Sequence, residues 1–122
     1  MSIYKDVGLS YARNAGADLS TSLNLLAHVD TDGDLVLAGA GEHAIGTIIE
    51  GAVADKPATV QFGGIAKLVC GGTVTAGERV ASDGAGKGVT ASTGDFEVGT
   101  ALETGAAEEV IPVALIPGRT HA

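Results

Sequence analysis

The chain has 122 residues, a mean hydropathy of +0.30 and a formal net charge of −8. At 45% apolar residues it is not a solvated disordered chain, and its length fits one domain. Fifteen acidic against seven basic residues is the wrong balance for a free nucleic-acid binder or for a partner of an anionic membrane.

No apolar run reaches membrane-spanning length, and the first 20 residues hold no apolar block of the kind a secretory leader needs. The single cysteine, Cys70, leaves no room for an intrachain disulfide framework or a cysteine-based zinc cluster. The apolar residues are small. Alanine (20) and glycine (19) dominate, and only Tyr4, Tyr11, Phe62 and Phe96 are aromatic. Aromatics bury the most area per residue, so this core is thin. Two readings stay open: burial completed by self-association or a partner, or a small β core that packs alone.

Residues 1–22 differ from the rest. Lys5 and Arg13 balance Asp6 and Asp18, so the whole net charge falls in residues 23–122. The segment holds two of the four aromatics and shows neither helical nor strand period. It reads as an extended N-terminal arm, docked on its own domain or on a neighbouring chain. From residue 23 onward, short β-type runs are expected at 25–29, 35–38, 44–50, 58–62, 65–69, 78–81, 88–91, 97–102 and 110–116. Glycine-rich turn segments separate most of them, among them Asp30-Thr31-Asp32-Gly33-Asp34, Gly63-Gly64 and Asp83-Gly84-Ala85-Gly86. Residues 101–109 are the best helix candidate, but Gly105 interrupts them, so a strand end and a turn are expected. The fold class is all-β: a small β-barrel or β-sandwich with two related halves, and one β-rich domain over 23–122.

The relation between the halves is an internal repeat. A shift of 53 residues aligns 33–64 with 86–117 without gaps, with 9 identities in 32 positions. Its firmest block is Ile45-Gly46-Thr47 with Glu50, against Val98-Gly99-Thr100 with Glu103. The repeated glycine is expected to mark a bulge or a close backbone approach.

Chemical motifs are sparse. His28, His43 and His121 show no metal-ligand spacing, so no metal site is expected. The Asp30–Asp34 segment resembles a calcium loop, yet positions 6 and 12 are Leu35 and Gly41 where that loop needs Gly and Glu. Residues 84–88 resemble a phosphate loop, yet Ala81 and Gly88 stand where it needs Gly and Ser or Thr. Cys70 lies between an apolar run and Gly71-Gly72 and reads as a small buried hydrophobe rather than a nucleophile. Glu108 and Glu109 are adjacent, so on a strand they point to opposite faces. There is no Gly-x-Ser-x-Gly elbow. Neither catalytic residues nor a cofactor are expected.

The run Gly63-Gly64-Ile65-Ala66-Lys67-Leu68-Val69, followed by Gly72-Thr73-Val74-Thr75-Ala76-Gly77-Glu78-Arg79-Val80, resembles the head decoration, or capsid cement, family of tailed phages. So do Val98-Gly99-Thr100-Ala101-Leu102-Glu103 and Ile111-Pro112-Val113-Ala114-Leu115-Ile116-Pro117-Gly118. The resemblance covers about residues 33–118. It implies a non-enzymatic β-rich protein, made in the host cytoplasm and carried on the outer capsid surface. It implies contact with the major capsid protein, bridging of neighbouring subunits, stabilisation against internal DNA pressure, and a homotrimer at local threefold positions. It implies no direct contact with nucleic acid or membrane. Ile3, Tyr4, Val7, Leu9, Tyr11 and Arg13 are the candidate residues for binding the capsid or a neighbour, with the tyrosines as anchors. The alternative function is a small β-clip or carrier-type binding domain, for which Lys87 would have to be displayed on its turn. A third possibility is a site assembled from His28, His43 and Asp32.

Overall fold

In the computed structural model, residues 9–116 and 119–122 are described. Ten strands form two five-stranded antiparallel sheets, with no helix among the described residues. The first sheet holds β1 (Ser10–Asn14), β2 (Leu26–Val29), β3 (Leu35–Leu37), β4 (Gly46–Glu50) and β5 (Pro57–Gln61), in the order β1-β5-β4-β2-β3. The second holds β6 (Gly64–Val69), β7 (Arg79–Ser82), β8 (Gly88–Thr90), β9 (Gly99–Ala101) and β10 (Val110–Leu115), in the order β6-β10-β9-β7-β8. The all-β expectation is borne out, and every run expected from residue 23 onward contains a strand. The arrangement is sandwich-like. One parallel bridge in each sheet, Ala15 to Leu35 and Cys70 to Gly88, draws the outer strands together without closing a barrel.

The two sheets share one topology. Moving β2, β3, β4 and β5 along the chain by 53 residues lands on β7, β8, β9 and β10. β1 and β6 correspond with a shift of 55: Ser10 faces Gln61 on β5, and Ile65 faces Ala114 on β10. The left-handed backbone positions repeat as well. Asn24 and Gly77, Gly33 and Gly86, Gly41 and Gly94, and Asp55 and Glu108 all have positive φ. Gly46 and Gly99 show why the repeated strand glycine is required. A Cβ at Gly46 would collide with the carbonyl oxygen of Gln61, and one at Gly99 with that of Ala114. The facing strands pack too closely for any side chain.

Residues 10–22, expected as part of an extended arm, pack on their own domain. β1 is extended but pairs antiparallel with β5 as an edge strand. Core burial begins at Ala15 and Leu19, ahead of the boundary expected at residue 22. These two are isolated apolar residues, so they leave no periodic signal. In β1 all five residues are exposed, and there is no alternation to read.

Two apolar clusters make the core. The first contains Leu19, Leu35, Ile48 and Val60 and belongs to the first half. The second contains Leu68, Val74, Val80, Ile111 and Val113, and is completed by Leu26, Ala38 and Ala44 from the first half. Neighbours on a strand face opposite ways. On β2, Ala27 therefore joins the first cluster while Leu26 crosses into the second, locking the halves together.

Candidate functional site

Aspartates shape the tight turns. Asp30 Oδ1 accepts the N–H groups of Asp32 and Asp34, both at 2.9 Å. Asp83 Oδ1 accepts those of Ala85 at 2.8 Å and Lys87 at 2.9 Å. The calcium-like and phosphate-like stretches are thus two copies of one hairpin turn, capped by its first carboxylate. Among the described residues no group of three or more His, Cys, Asp or Glu side chains could hold a metal. Lys87, the residue a carrier domain would display, places Nζ 2.7 Å from both Glu108 carboxylate oxygens. Cys70 is fully buried. Burial, aided by the charge of Glu109, raises its thiol pKa and so disfavours the reactive thiolate. His28 and His43 do meet: a ring nitrogen of His28 lies 3.2 Å from the His43 carbonyl, and both line a hollow of about 170 Å³. Asp32 stays in its own turn.

An open apolar groove of about 520 Å³ lies between the halves. Its lining follows the repeat. His43 and Phe96, Ile45 and Val98, Phe62 and Leu115, and Gly63 and Ile116 are four pairs related by the shift of 53, joined by Ala44 and Tyr11. The His43 ring stacks on Phe96, its own counterpart, with centroids 3.8 Å apart. A residue meeting its own counterpart is the mark of an isologous contact, here made inside one chain. Among the described residues no carboxylate lines the groove, although the chain carries −8. Phe62 is 43% exposed and Tyr11 47%.

The expected binding residues divide. Ile3, Tyr4 and Val7 lie outside the described residues. Leu9, 61% exposed, accepts a hydrogen bond from the Phe62 N–H through its carbonyl at 2.9 Å. Tyr11 reaches the groove. Arg13 instead donates from Nε to the Gly33 carbonyl at 2.6 Å, beside the acidic turn. Sequence reading missed Phe62, Phe96 and Ile116, and singled out His43 only for an assembled site with His28 and Asp32. The signal was their position in or beside the repeat, combined with the scarcity of aromatics.

The last four residues strap the second half beside this groove. Thr120 bridges Phe96, the Glu97 N–H bonds the Arg119 carbonyl at 2.8 Å, and the His121 N–H bonds that of Asp95 at 2.7 Å. Glu97 is only 1% exposed. Its carboxylate accepts the His121 Nδ1–H, and Arg119 and Arg79 lie at 3.3 and 3.5 Å. These partners lower its pKa, the His121 hydrogen bond most of all, against the opposing effect of burial.

This fold and surface define a β-sandwich of two related halves with an apolar groove between them. A phage cement protein family model matches residues 17–116. The chain therefore belongs to the phage cement proteins, a structural phage head family, and its place is in the virion on the capsid. Among solved structures it is similar to the N base of head fibre gp8.5 of bacteriophage phi29, with a TM-score of 0.70 at 11% identity, covering 93% of this chain and 98% of that one. At that identity the likeness speaks for the fold alone. No curated protein sequence matches.

Proposed function

We propose that this protein is a cement protein of the outer capsid surface. It binds the major capsid protein, bridges neighbouring subunits and stabilises the shell against the pressure of packaged DNA. A homotrimer at local threefold positions would multiply weak contacts into firm attachment. The observation that carries this reading is the groove: an apolar surface that no carboxylate lines among the described residues, with exposed Tyr11 and Phe62, on an acidic chain of the cement family. Exposed apolar patches of this kind mark contact sites, and tyrosine is enriched among contact hot spots. Ile3, Tyr4 and Val7, which lie outside the described residues, are proposed to add contacts to the shell or to a neighbouring subunit.

Co-sedimentation with undecorated heads of the encoding phage tests the reading. Saturable binding at a fixed ratio to capsid subunits is expected, weakened at least tenfold by Tyr11→Ala with Phe62→Ala. Absence of binding to both immature and expanded shells would overturn it.

A further inference from the structure

We propose that a second copy of this chain docks head to tail on the open end of β1, repeating between chains the junction that joins the two halves within one chain. The proposal names the surfaces for the self-association put forward above and does not depend on shell binding.

Two backbone hydrogen bonds mark the junction inside the chain. The Val69 N–H, at the end of β6, donates to the Asn24 carbonyl at 3.0 Å, and the Leu26 N–H donates to the Gly86 carbonyl at 2.7 Å. Residues 24–26 of the first half are thereby seamed to β6 and to the turn between β7 and β8. The repeat gives each group a counterpart. Asn14 and Gly33 stand for Val69 and Gly86, and Gly77 and Arg79 stand for Asn24 and Leu26. Every chain thus carries one further receiving side and one further arriving side.

The receiving side is open. Along β1 the Leu9 carbonyl accepts the Phe62 N–H and the Ala15 N–H donates to the Lys56 carbonyl. Antiparallel pairs alternate, so the N–H of Asn14 turns away from β5. Among the described residues it meets no acceptor. Beside it lies an open hollow of about 480 Å³, lined by Ala12, Arg13, Asn14, Asp34 and Pro57. The Gly33 carbonyl takes the Arg13 Nε–H and keeps a second lone pair. The arriving side is open too. Among the described residues no donor reaches the Gly77 carbonyl and no acceptor reaches the Arg79 N–H. A Cβ at Gly77 would meet nothing within 4 Å. Gly77 and Asn24 share a left-handed backbone, with φ of 89° and 64°, so both present the carbonyl in the same way.

Charge follows the same pairing and selects a second copy as the occupant. Leu26 meets a turn in which Asp83 and Lys87 balance each other. Arg79, its counterpart, would meet the matching turn, which carries Asp30, Asp32 and Asp34. A cation arriving on an acidic turn gives the contact orientation and specificity. Such a contact joins two different surfaces and closes into a ring where the rotation allows.

Cross-linking between separately prepared chains tests the proposal. Asn14→Cys mixed with Gly77→Cys should give disulfide-linked heterodimers under mild oxidation, mapped to those two positions. The left-handed position tolerates a side chain, as Asn24 shows in the other half. Gly77→Cys mixed with Val53→Cys should give none. Sedimentation velocity supplies a readout without cysteines. The wild type should associate reversibly, and Asp32→Lys should weaken association about tenfold at an unchanged far-ultraviolet circular dichroism spectrum. Equal cross-linking in the two mixtures, none in either, or a wild type that stays monomeric at every concentration would overturn the proposal. All of this is measured without shells, so a failure to bind heads would leave it standing, and its own failure would leave shell binding untouched.

Discussion

The two halves have one backbone plan and different side chains. The first half, from β1 to β5, lays Leu26, Ala38 and Ala44 against the core of the second. The counterparts in the second half are Arg79, Ala91 and Glu97. There Arg79 and Glu97 form an ion pair, and the strap of residues 119–122 covers them through Arg119 and His121. Backbone requirements survive in both copies: the left-handed turn positions, the aspartate-capped hairpins and the strand glycines. Side chains follow what each copy must cover. A face that meets another half is apolar. A face that meets only a short strap is charged and charge-balanced, as a buried carboxylate must be.

Substitutions can break this comparison, the glycines most severely. Gly46→Ala and Gly99→Ala place a Cβ against a facing carbonyl in both halves. Each should cost about 3 kcal/mol or more in chemical denaturation. Gly72→Ala and Gly84→Ala meet no atom within 4 Å and should stay within about 0.5 kcal/mol. Equal costs at all four would deny the close-approach account. Leu26→Ala comes next. It opens a void between the halves and should cost about 3 kcal/mol. Its counterpart substitution, Arg79→Ala, should cost clearly less, since that side chain is partly exposed and Glu97 keeps two other partners.

Acid sharpens the contrast. Glu97 has a folded-state pKa below its ordinary value of 4.5. Its contribution is therefore fully present above that value and is lost as the pH falls through the lowered one. Melting temperature followed below pH 4.5 should fall less steeply in Glu97→Gln than in the wild type, and the strap should loosen first by amide exchange. Ala44, the first-half counterpart, titrates nothing. Parallel acid profiles for variant and wild type would contradict a strap held by ionised Glu97. The smallest effect is expected at Thr47, whose buried Oγ1 has no hydrogen-bond partner. Thr47→Val should raise stability by up to about 1 kcal/mol. A loss of stability there would mean the hydroxyl is satisfied.

The duplication was legible only in part. The turn glycines and the Ile45-Gly46-Thr47 block against Val98-Gly99-Thr100 exposed it from residue 33 onward. Ahead of that point the shift changes from 53 to 55, and Leu26 against Arg79 or Tyr11 against Ala66 share no side-chain character. β1 escaped notice because exposure on both faces erases alternation. Burial of Ala15 and Leu19 depends on distant strands, which local pattern does not encode. The groove was half legible: Tyr11 could be singled out as a contact residue. Its meeting with Phe62, Phe96 and His43 needed the packing of one half against the other.

Cryo-electron microscopy of the decorated head would test the central claim most directly. The account predicts density on the outer surface astride neighbouring major capsid protein subunits, with the Tyr11, Phe62 and Phe96 groove turned toward the shell. Density confined to one capsid subunit with that groove facing solvent would contradict it.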